Sequence, residues 1–342
     1  MAFDDDTQTI RPLRAAMREF ELIDWIRQLP GPSRPDVLTG IGDDAAVLSV
    51  PAGFDLIVST DTSVAGVHFP HGTAAYDVGW KSLAVNLSDL AAMGATPAWV
   101  SLALTLPKLD ADWLKGFFAG FQALALPHRL ALIGGDTTRG PLAITITIHG
   151  FCPNGQAVRR RGARAGDALI RIGRLGLAAA GLRWQLARPE SERASPLLDP
   201  FEQQCLQALN RPEPKIGMDA VLRTHASALI DVSDGLLADL MHVARSSGVG
   251  AKVDLDAIEE FGWLSEHFGS SEARDMVTRG GDDYALLAAC APAQVDLLLV
   301  AAKALGHAAS VIGCFEAEPG CRIHHHGQID TVGGPSGYEH FT

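Results

Sequence analysis

The stretch KSLAVNLSDLAAMGATPAWVSLALTL, residues 81–106, changes its periodicity halfway, and that change decides the fold class. With Trp80 just upstream, Leu83, Ala84, Leu87 and Leu90 recur at helical spacing, which predicts a helix over residues 74–93 ended by Gly94. After Ala95-Thr96-Pro97 the run WVSLALTL reads as a strand. A helix feeding a strand through a short turn is the unit of a mixed α/β architecture, and both flanks extend it. Upstream, Leu22, Ile23, Trp25, Ile26 and Leu29 mark a helix stopped by GPSRPD, and AAVLSV and LIVST read as strands. Downstream, residues 111–126 read as a helix, then RLALIGG and the alternating LAITITIHGF as strands.

Around CPNGQAVRRRGARAGDALI the pattern resets, and a new strand begins at 168–172. The second half repeats the mixture. Helices are predicted near 176–187, 201–209, 217–225 and 236–247, with a Pro- and charge-rich loop at 188–200. Strands are predicted at ALIDVS and near 251–255, 284–290 and 309–316. A length of 342 residues fits two domains. The expected organisation is a loose extension over 1–16, a first domain over 17–150 and a second over 151–342.

An apolar fraction of 47% with 20% charged residues is that of an ordinary globular chain, and no apolar run approaches the ~20 residues of a membrane span. The formal charge of -12 argues against nonspecific binding to nucleic acid or an anionic membrane, both of which need a basic face. Cys152, Cys205, Cys290, Cys314 and Cys321 are scattered without a C-x-x-C pair and read as reduced thiols. MAFDDDTQTI has neither the basic nor the apolar region of a signal peptide, so the expected compartment is the cytoplasm.

The chemistry lies in the aspartates. GIGDDAAVL at 40–48 sets Asp43 and Asp44 before an apolar run, which alone describes a turn before a strand. The device recurs in LIVSTDT (56–62), NLSDLAAMG (86–94), LIGGDTT (132–138), LIDVSDG (229–235) and RGGDDYALL (279–287). No segment has EF-hand spacing, and a glycosidase would need two acids among aromatics, which make up only 6% of this chain. The remaining use is to hold several Mg²⁺ ions, each taking hard oxygens from one or two carboxylates and from substrate phosphates. Ser59, Thr60, Thr137, Thr138 and Ser233 add hydroxyl oxygens beside the acids, and Gly134-Gly135-Asp136 offers backbone N–H groups to an anion. Neither a P-loop nor a well-formed G-x-G-x-x-G is present. RRRGAR at 159–164 reads either as a solvated loop or as a phosphate clamp, and His68 either as a structural or as a cleft residue. On a strand three consecutive histidines cannot all face one ion, so HHH at 324–326 is not taken as a metal cluster.

GIGDDAAVL, STDTSVAGVHF, KSLAVNLSDLAAMGATPAW, LIGGDTTRGPL, IHGF, RRRGARAGD, IDVSDGLLADL and GGDDYALL together resemble, in order and over nearly the whole chain, the thiamine-monophosphate kinase family. That family sits within the superfamily of aminoimidazole-ribonucleotide synthetase and selenophosphate synthetase. The resemblance implies a two-domain fold: an N-terminal domain that dimerises into a barrel-like core and a C-terminal α/β sandwich domain, with ATP in the groove between them. On matching positions it implies Mg²⁺ ligands at Asp44, Ser59, Thr60, Asp61, Asp89, Asp136, Asp231 and Asp234, with Asp43 a structural neighbour. It implies ATP contacts at Gly135, Asp136, Arg160 and Ser233, and substrate contacts at His68 and Asp282. The family commonly has Glu at position 282 and an aromatic before its G-Y-[DE]-H-F ending; this chain has Pro335-Ser336 there, so Tyr338 or Phe341 is expected to supply the ring.

The implied reaction phosphorylates the phosphate of thiamine monophosphate from ATP. A phosphate monoester has its second pKa near ~6, so no general base is required. The barrier is repulsion: at ~4 Å each pair of like unit charges costs about 4 kcal/mol at an effective dielectric of ~20, and metal ions must cancel the sum. A non-catalytic nucleotide-binding regulator and a Mg²⁺-dependent phosphohydrolase are the competing readings. Selenophosphate synthesis is disfavoured because the first cysteine is Cys152, far beyond any N-terminal reactive loop.

Overall fold

A computed structural model describes residues 19–188, 199–331 and 337. The extension expected over 1–16 and the C-terminal positions Pro335, Ser336, Tyr338 and Phe341 lie outside the described residues. The first half runs α1 (Glu19–Arg27), β1 (Val37–Thr39), β2 (Val47–Leu48), β3 (Phe54–Val64), α2 (Ala75–Ala92), β4 (Thr96–Leu106), α3 (Ala111–Ala125), β5 (Ala131–Arg139) and β6 (Ala143–Pro153). The second half runs β7 (Ala168–Ile172), α4 (Leu177–Ala187), α5 (Pro200–Asn210), α6 (Asp219–His225), β8 (Ala226–Asp231), α7 (Leu236–Ser247) and β9 (Gly250–Asp254). It ends with α8 (Glu259–Phe268), α9 (Ser270–Arg279), β10 (Leu286–Cys290), α10 (Val295–Ala304), β11 (Ala309–Glu316), β12 (Gly320–His325) and β13 (Gln328–Thr331).

The helix and strand read from residues 81–106 are α2 and β4, and Gly94 closes the helix with φ 63°, a left-handed conformation that an L side chain resists. Strands β3, β6, β4 and β5 form a four-stranded sheet in that order. Helices α2 and α3 cover one face, where Leu102, Leu104, Leu106, Ile144, Ile146 and Ile148 meet Leu83, Leu87, Leu90, Phe117 and Phe118. The helices approach each other at Gly79 and Gly120, where an added Cβ would fall 1.9 Å from a backbone oxygen of the opposite helix. On the other face Thr60 bonds Thr147 and Thr62 bonds Thr145.

The second sheet has seven strands in the order β13-β12-β9-β11-β7-β10-β8. Both of its faces are covered. Leu169, Ala228, Ile230, Leu287 and Ala289 enter a core with helices α4, α7, α8 and α9, whereas their neighbours Ile170, Ile172, Leu229, Leu286 and Ala288 enter another with α6, α10 and the end of α2. Strands β12 and β13 and helices α8, α9 and α10 extend this half beyond the sequence expectation. The segments are short, and α9 is polar, burying only Ala273, Met276, Val277 and Thr278, whereas α10, VDLLLVAAKA, is mostly apolar with Leu298 and Ala302 buried. AAVLSV, expected as a strand, contributes only Val47–Leu48 to a two-stranded ribbon with β1.

Candidate functional site

Three aspartates from different elements meet where the two sheets face each other. Asp61 lies on β3, Asp89 on α2 and Asp231 at the end of β8; all three line a cleft of about 1020 Å³. Helix α2 makes this possible because one face packs on β3 and β6 while it also reaches β8. Ser59 Oγ donates a hydrogen bond to Asp89, and Ser88 Oγ donates to Asp231 Oδ2 at 2.8 Å. Burial, aided by the clustering, raises the proton affinity of two members. Burial, then the neighbouring Asp89 charge, pushes Asp61 up to about 7, and the same two causes in the same order push Asp231 up to about 7. Such a set of hard oxygens, held close at the expense of their own ionisation, fits a divalent cation such as Mg²⁺.

Beyond β8 the chain turns through Ser233 and Asp234, which also line the cleft. Their backbone N–H groups donate to Asp239 Oδ2 at 3.1 and 3.0 Å, so an acid in the first turn of α7 fixes the turn. Thr60 and His68 stand on the same wall. Val64 N–H donates to His68 Nδ1 at 3.0 Å, which leaves the ring proton on Nε2. Arg160 lies in an adjoining hollow with Ser59, Asp89 and Asp231, where its charge opposes the rise in the Asp231 pKa.

Asp282 occupies a loop in which it and Tyr284 adopt positive φ, 69° and 46°, conformations that non-glycine residues hold only under tertiary constraint. The constraint is visible: Asp282 N–H donates to Ser233 O and Tyr284 N–H to Val232 O, both at 2.9 Å. Tyr284 Oη donates to Asp282 Oδ1 at 3.1 Å, and Lys81 Nζ lies 3.0 Å from Asp282 Oδ2 as an ion pair without hydrogen-bond alignment. The next residue, Asp283, turns away from the cleft and accepts the backbone N–H groups of Gly176 and Ala178 at the start of α4. Helix α4 lines the cleft with Ala178, Ala179, Leu182 and Leu186, interrupted by Arg183, and Val64 and Val67 add apolar surface beside His68.

Sequence reasoning gave no role to Lys81, Ser88, Asp239 or Tyr284. For Lys81 a signal existed, since Lys81, Val85 and Asp89 are spaced four apart on one helix and so share a face, and all three line the cleft.

Asp44, Gly135 and Asp136 are placed elsewhere. They line a second hollow of about 690 Å³ with Asp43, Arg27 and Ser101. Asp44 N–H donates to Asp43 Oδ1 at 2.9 Å. At Gly135 an added Cβ would fall 1.8 Å from Leu102 O, so only glycine fits there. The row Asp61–Ile146–Leu102–Gly135 runs across the whole four-stranded sheet, so the two groups sit at its opposite edges, three strand spacings or about 14 Å apart. Within one chain the predicted residues therefore form two groups.

Comparison with known proteins gives this arrangement a context. Residues 42–152 match the AIR synthase related protein, N-terminal domain, and residues 164–326 match the AIR synthase related protein, C-terminal domain. Thiamine-monophosphate kinase of Salmonella typhimurium is 44% identical over 306 residues, 89% of this chain and 92% of that protein. The crystal structure of thiamine-monophosphate kinase from Stenotrophomonas maltophilia superposes with a TM-score of 0.80 at 48% identity, covering 85% of this chain and 92% of the other. A structure of AaThiL complexed with AMPPCP and TMP superposes with a TM-score of 0.73 at 27% identity, covering 96% of this chain and all of the other. The two-domain, mixed α/β fold is thus that of AIR synthase related proteins. By sequence and structure alike, the chain belongs to the thiamine-monophosphate kinase family.

Proposed function

We infer that this protein transfers the γ-phosphoryl group of ATP to the phosphate of thiamine monophosphate, giving thiamine diphosphate and ADP. One observation carries the reading: Asp61, Asp89 and Asp231 converge in a cleft that also holds a clamped carboxylate and apolar surface, with Arg160 in the adjoining hollow. The relatives' common activity supports it, as does the AMPPCP and TMP bound by AaThiL.

The residues divide the task by position. Asp61, Asp89, Asp231 and Asp234, with Ser59 and Thr60, form the donor set for Mg²⁺, and Asp44 and Asp136 form a second. Bound there, Mg²⁺ supplies the positive charge that lets a polyanionic donor and a dianionic acceptor approach to about 3–3.5 Å for in-line attack. Arg160 and the Ser233 hydroxyl hold the donor phosphates, and the exposed Gly135 backbone contacts the nucleotide. His68 and Asp282, the latter fixed by Lys81 and Tyr284, orient the acceptor against the apolar residues of α4. No residue is needed as a base, because the acceptor phosphate is already ionised.

The same reading makes the protein a homodimer. The four-stranded sheet ends in unpaired edges at β3 and β5, and Phe54, Leu56 and Val58 of β3 are 42%, 41% and 52% exposed. Closing two such sheets into a barrel about a two-fold axis sets β3 of one copy against β5 of the other. The Asp44–Asp136 group of one copy then completes the Asp61 group of its partner. Residues 17–150 are the Mg²⁺/ATP-binding and dimerisation domain and 151–342 the domain that closes the cleft; the compartment is the cytoplasm. Among the described residues no helix is long and apolar enough to cross a membrane.

The test is incubation with ATP, Mg²⁺ and thiamine monophosphate followed by chromatography for thiamine diphosphate. The expected result is one product formed per ADP. ATP loss indifferent to the acceptor would mark a phosphohydrolase, and binding without turnover a regulator; either overturns the reading.

A further inference from the structure

The three histidines at 324–326 do not behave as a continuous strand would require. Strand β12 ends at His325, and His326 and Gly327 both take positive φ, 48° and 80°, in the two-residue turn to β13. A strand would send His326 to the face opposite His325. The left-handed turn instead brings the two rings together, with centroids 4.0 Å apart. His324 places Nδ1 3.2 Å from Asp254 Oδ1 and is engaged there, although Asp256 also lies within 4.8 Å of it.

Asp256 meets the paired rings from the 3-10 turn Leu255–Ala257 that follows β9. Its Oδ1 is 3.6 Å from His325 Nε2 and 3.5 Å from His326 Nδ1. These separations are long for N–H···O hydrogen bonds, which centre near 2.9 Å. They match the roughly 3.3 Å edge of a tetrahedron whose centre is about 2.0 Å from each ligand, as around a zinc ion. His325 Nε2 is buried with no hydrogen-bond partner. The other carboxylate oxygen, Oδ2, accepts the backbone N–H of His326 at 2.9 Å, so Oδ1 is aimed at the imidazoles. The edge-on Phe261 ring, 5.0 Å away, holds the His325 plane.

We propose that Asp256, His325 and His326 form a binding site for a borderline divalent transition-metal ion, Zn²⁺ being the best match, which ties the β12–β13 turn to the turn after β9. Two imidazole nitrogens and one carboxylate oxygen select Zn²⁺ over Mg²⁺, and three protein ligands leave one position for water. The site lies on the seven-stranded sheet among residues distinct from those of the phosphate cleft, and its donor chemistry differs from the all-oxygen set there.

The test uses the full chain, stripped with a chelator and kept in excess Mg²⁺ so that the carboxylate cleft is saturated. Zn²⁺ is titrated against a chromophoric chelator. Binding of about one ion per chain is expected, weakened at least about tenfold by Asp256→Asn or His326→Ala and changed less than about twofold by His324→Ala. On the wild-type protein, Zn²⁺ should protect His325 and His326, but not the exposed His242 on α7, from diethyl pyrocarbonate as read by mass spectrometry; this arm needs no variant to fold. Absence of binding, binding that survives either Asp256→Asn or His326→Ala, binding weakened more by His324→Ala than by His326→Ala, or unprotected histidines at Zn²⁺ saturation would each overturn the proposal.

Discussion

In the seven-stranded sheet, neighbouring residues of one strand go to two different apolar cores, Leu169 to one and Ile170 to the other. In the four-stranded sheet the neighbours of Ile144, Ile146 and Ile148 are Thr145, Thr147 and His149, and only the isoleucine side is covered by helices of the same chain. One sheet has both faces covered within the chain; the other has one face left uncovered by helices and carries acids at its two edge strands. The acidic groups follow the same division, since Asp61 and Asp136 occupy those two edges. The difference teaches that the site is assembled at two levels, first by packing the two sheets about α2 and then, on the homodimer reading, by a second copy.

The sharpest way to break this contrast is complementation. Asp61→Asn and Asp136→Asn should each lower turnover by about 100-fold or more, the scale of losing one preorganised electrostatic contact. Co-expressed, the two variants should regain about a quarter of wild-type activity, because half the dimers are mixed and each mixed dimer keeps one intact site. A co-expressed pair as inactive as its parents would place both groups in a single-chain site. Next in size, Val58→Lys on the exposed edge of β3 should convert the dimer to monomer in sedimentation experiments and cost about tenfold or more in turnover, with an unchanged circular dichroism spectrum. A dimer that tolerates lysine there would remove the four-stranded sheet from the interface.

Much of this was legible beforehand, for identifiable reasons. The alternation in LAITITIHGF announced a strand with one buried face, and the spacing in residues 81–106 gave α2 and β4 nearly to their ends. The recurring Asp after apolar runs identified the acids as a set. What sequence could not supply was their partition, because strand order alone puts β3 and β5 at opposite edges of one sheet. Nor could it find the clamp on Asp282: Lys81 and Tyr284 reach it from different elements, and only the Lys81–Val85–Asp89 spacing hinted at a shared face. The β12–β13 hairpin escaped notice because its turn residues, His326 and Gly327, continue a polar run rather than interrupt an apolar one.

Two smaller effects sharpen the distinction between the cleft and the remoter acids. Lys81→Met removes the cation facing Asp282 and should raise the KM for thiamine monophosphate by about tenfold, some 1.4 kcal/mol, with a lesser change in kcat. An unchanged KM would detach Lys81 from acceptor binding. The smallest effect concerns pH. Asp61 has its pKa raised, by burial and then by the Asp89 charge, from 3.8 to about 7. Between those values the folded chain binds a proton that the unfolded chain releases, so its contribution to stability declines as pH rises through that window and levels off above it. Metal-free protein should therefore lose a few degrees of Tm between pH 5 and pH 7.5. Asp61→Asn should flatten that slope, and saturating Mg²⁺ should oppose it; an identical slope in the variant would remove Asp61 from the explanation.

Helix α2 has one more consequence. Lys81 and Asp89, which on the proposed function serve the acceptor end and the metal end of the cleft, are eight residues apart on a single uninterrupted helix. At about 1.5 Å per residue that fixes some 12 Å between the two anchor points. On that reading the helix acts as a gauge rod: the span available to the joined phosphates is set by helical pitch and not by a loop that can adjust. A one-residue insertion between positions 81 and 89 would rotate one anchor by about 100° away from the other. It would uncouple acceptor from donor while leaving every side chain of the site present.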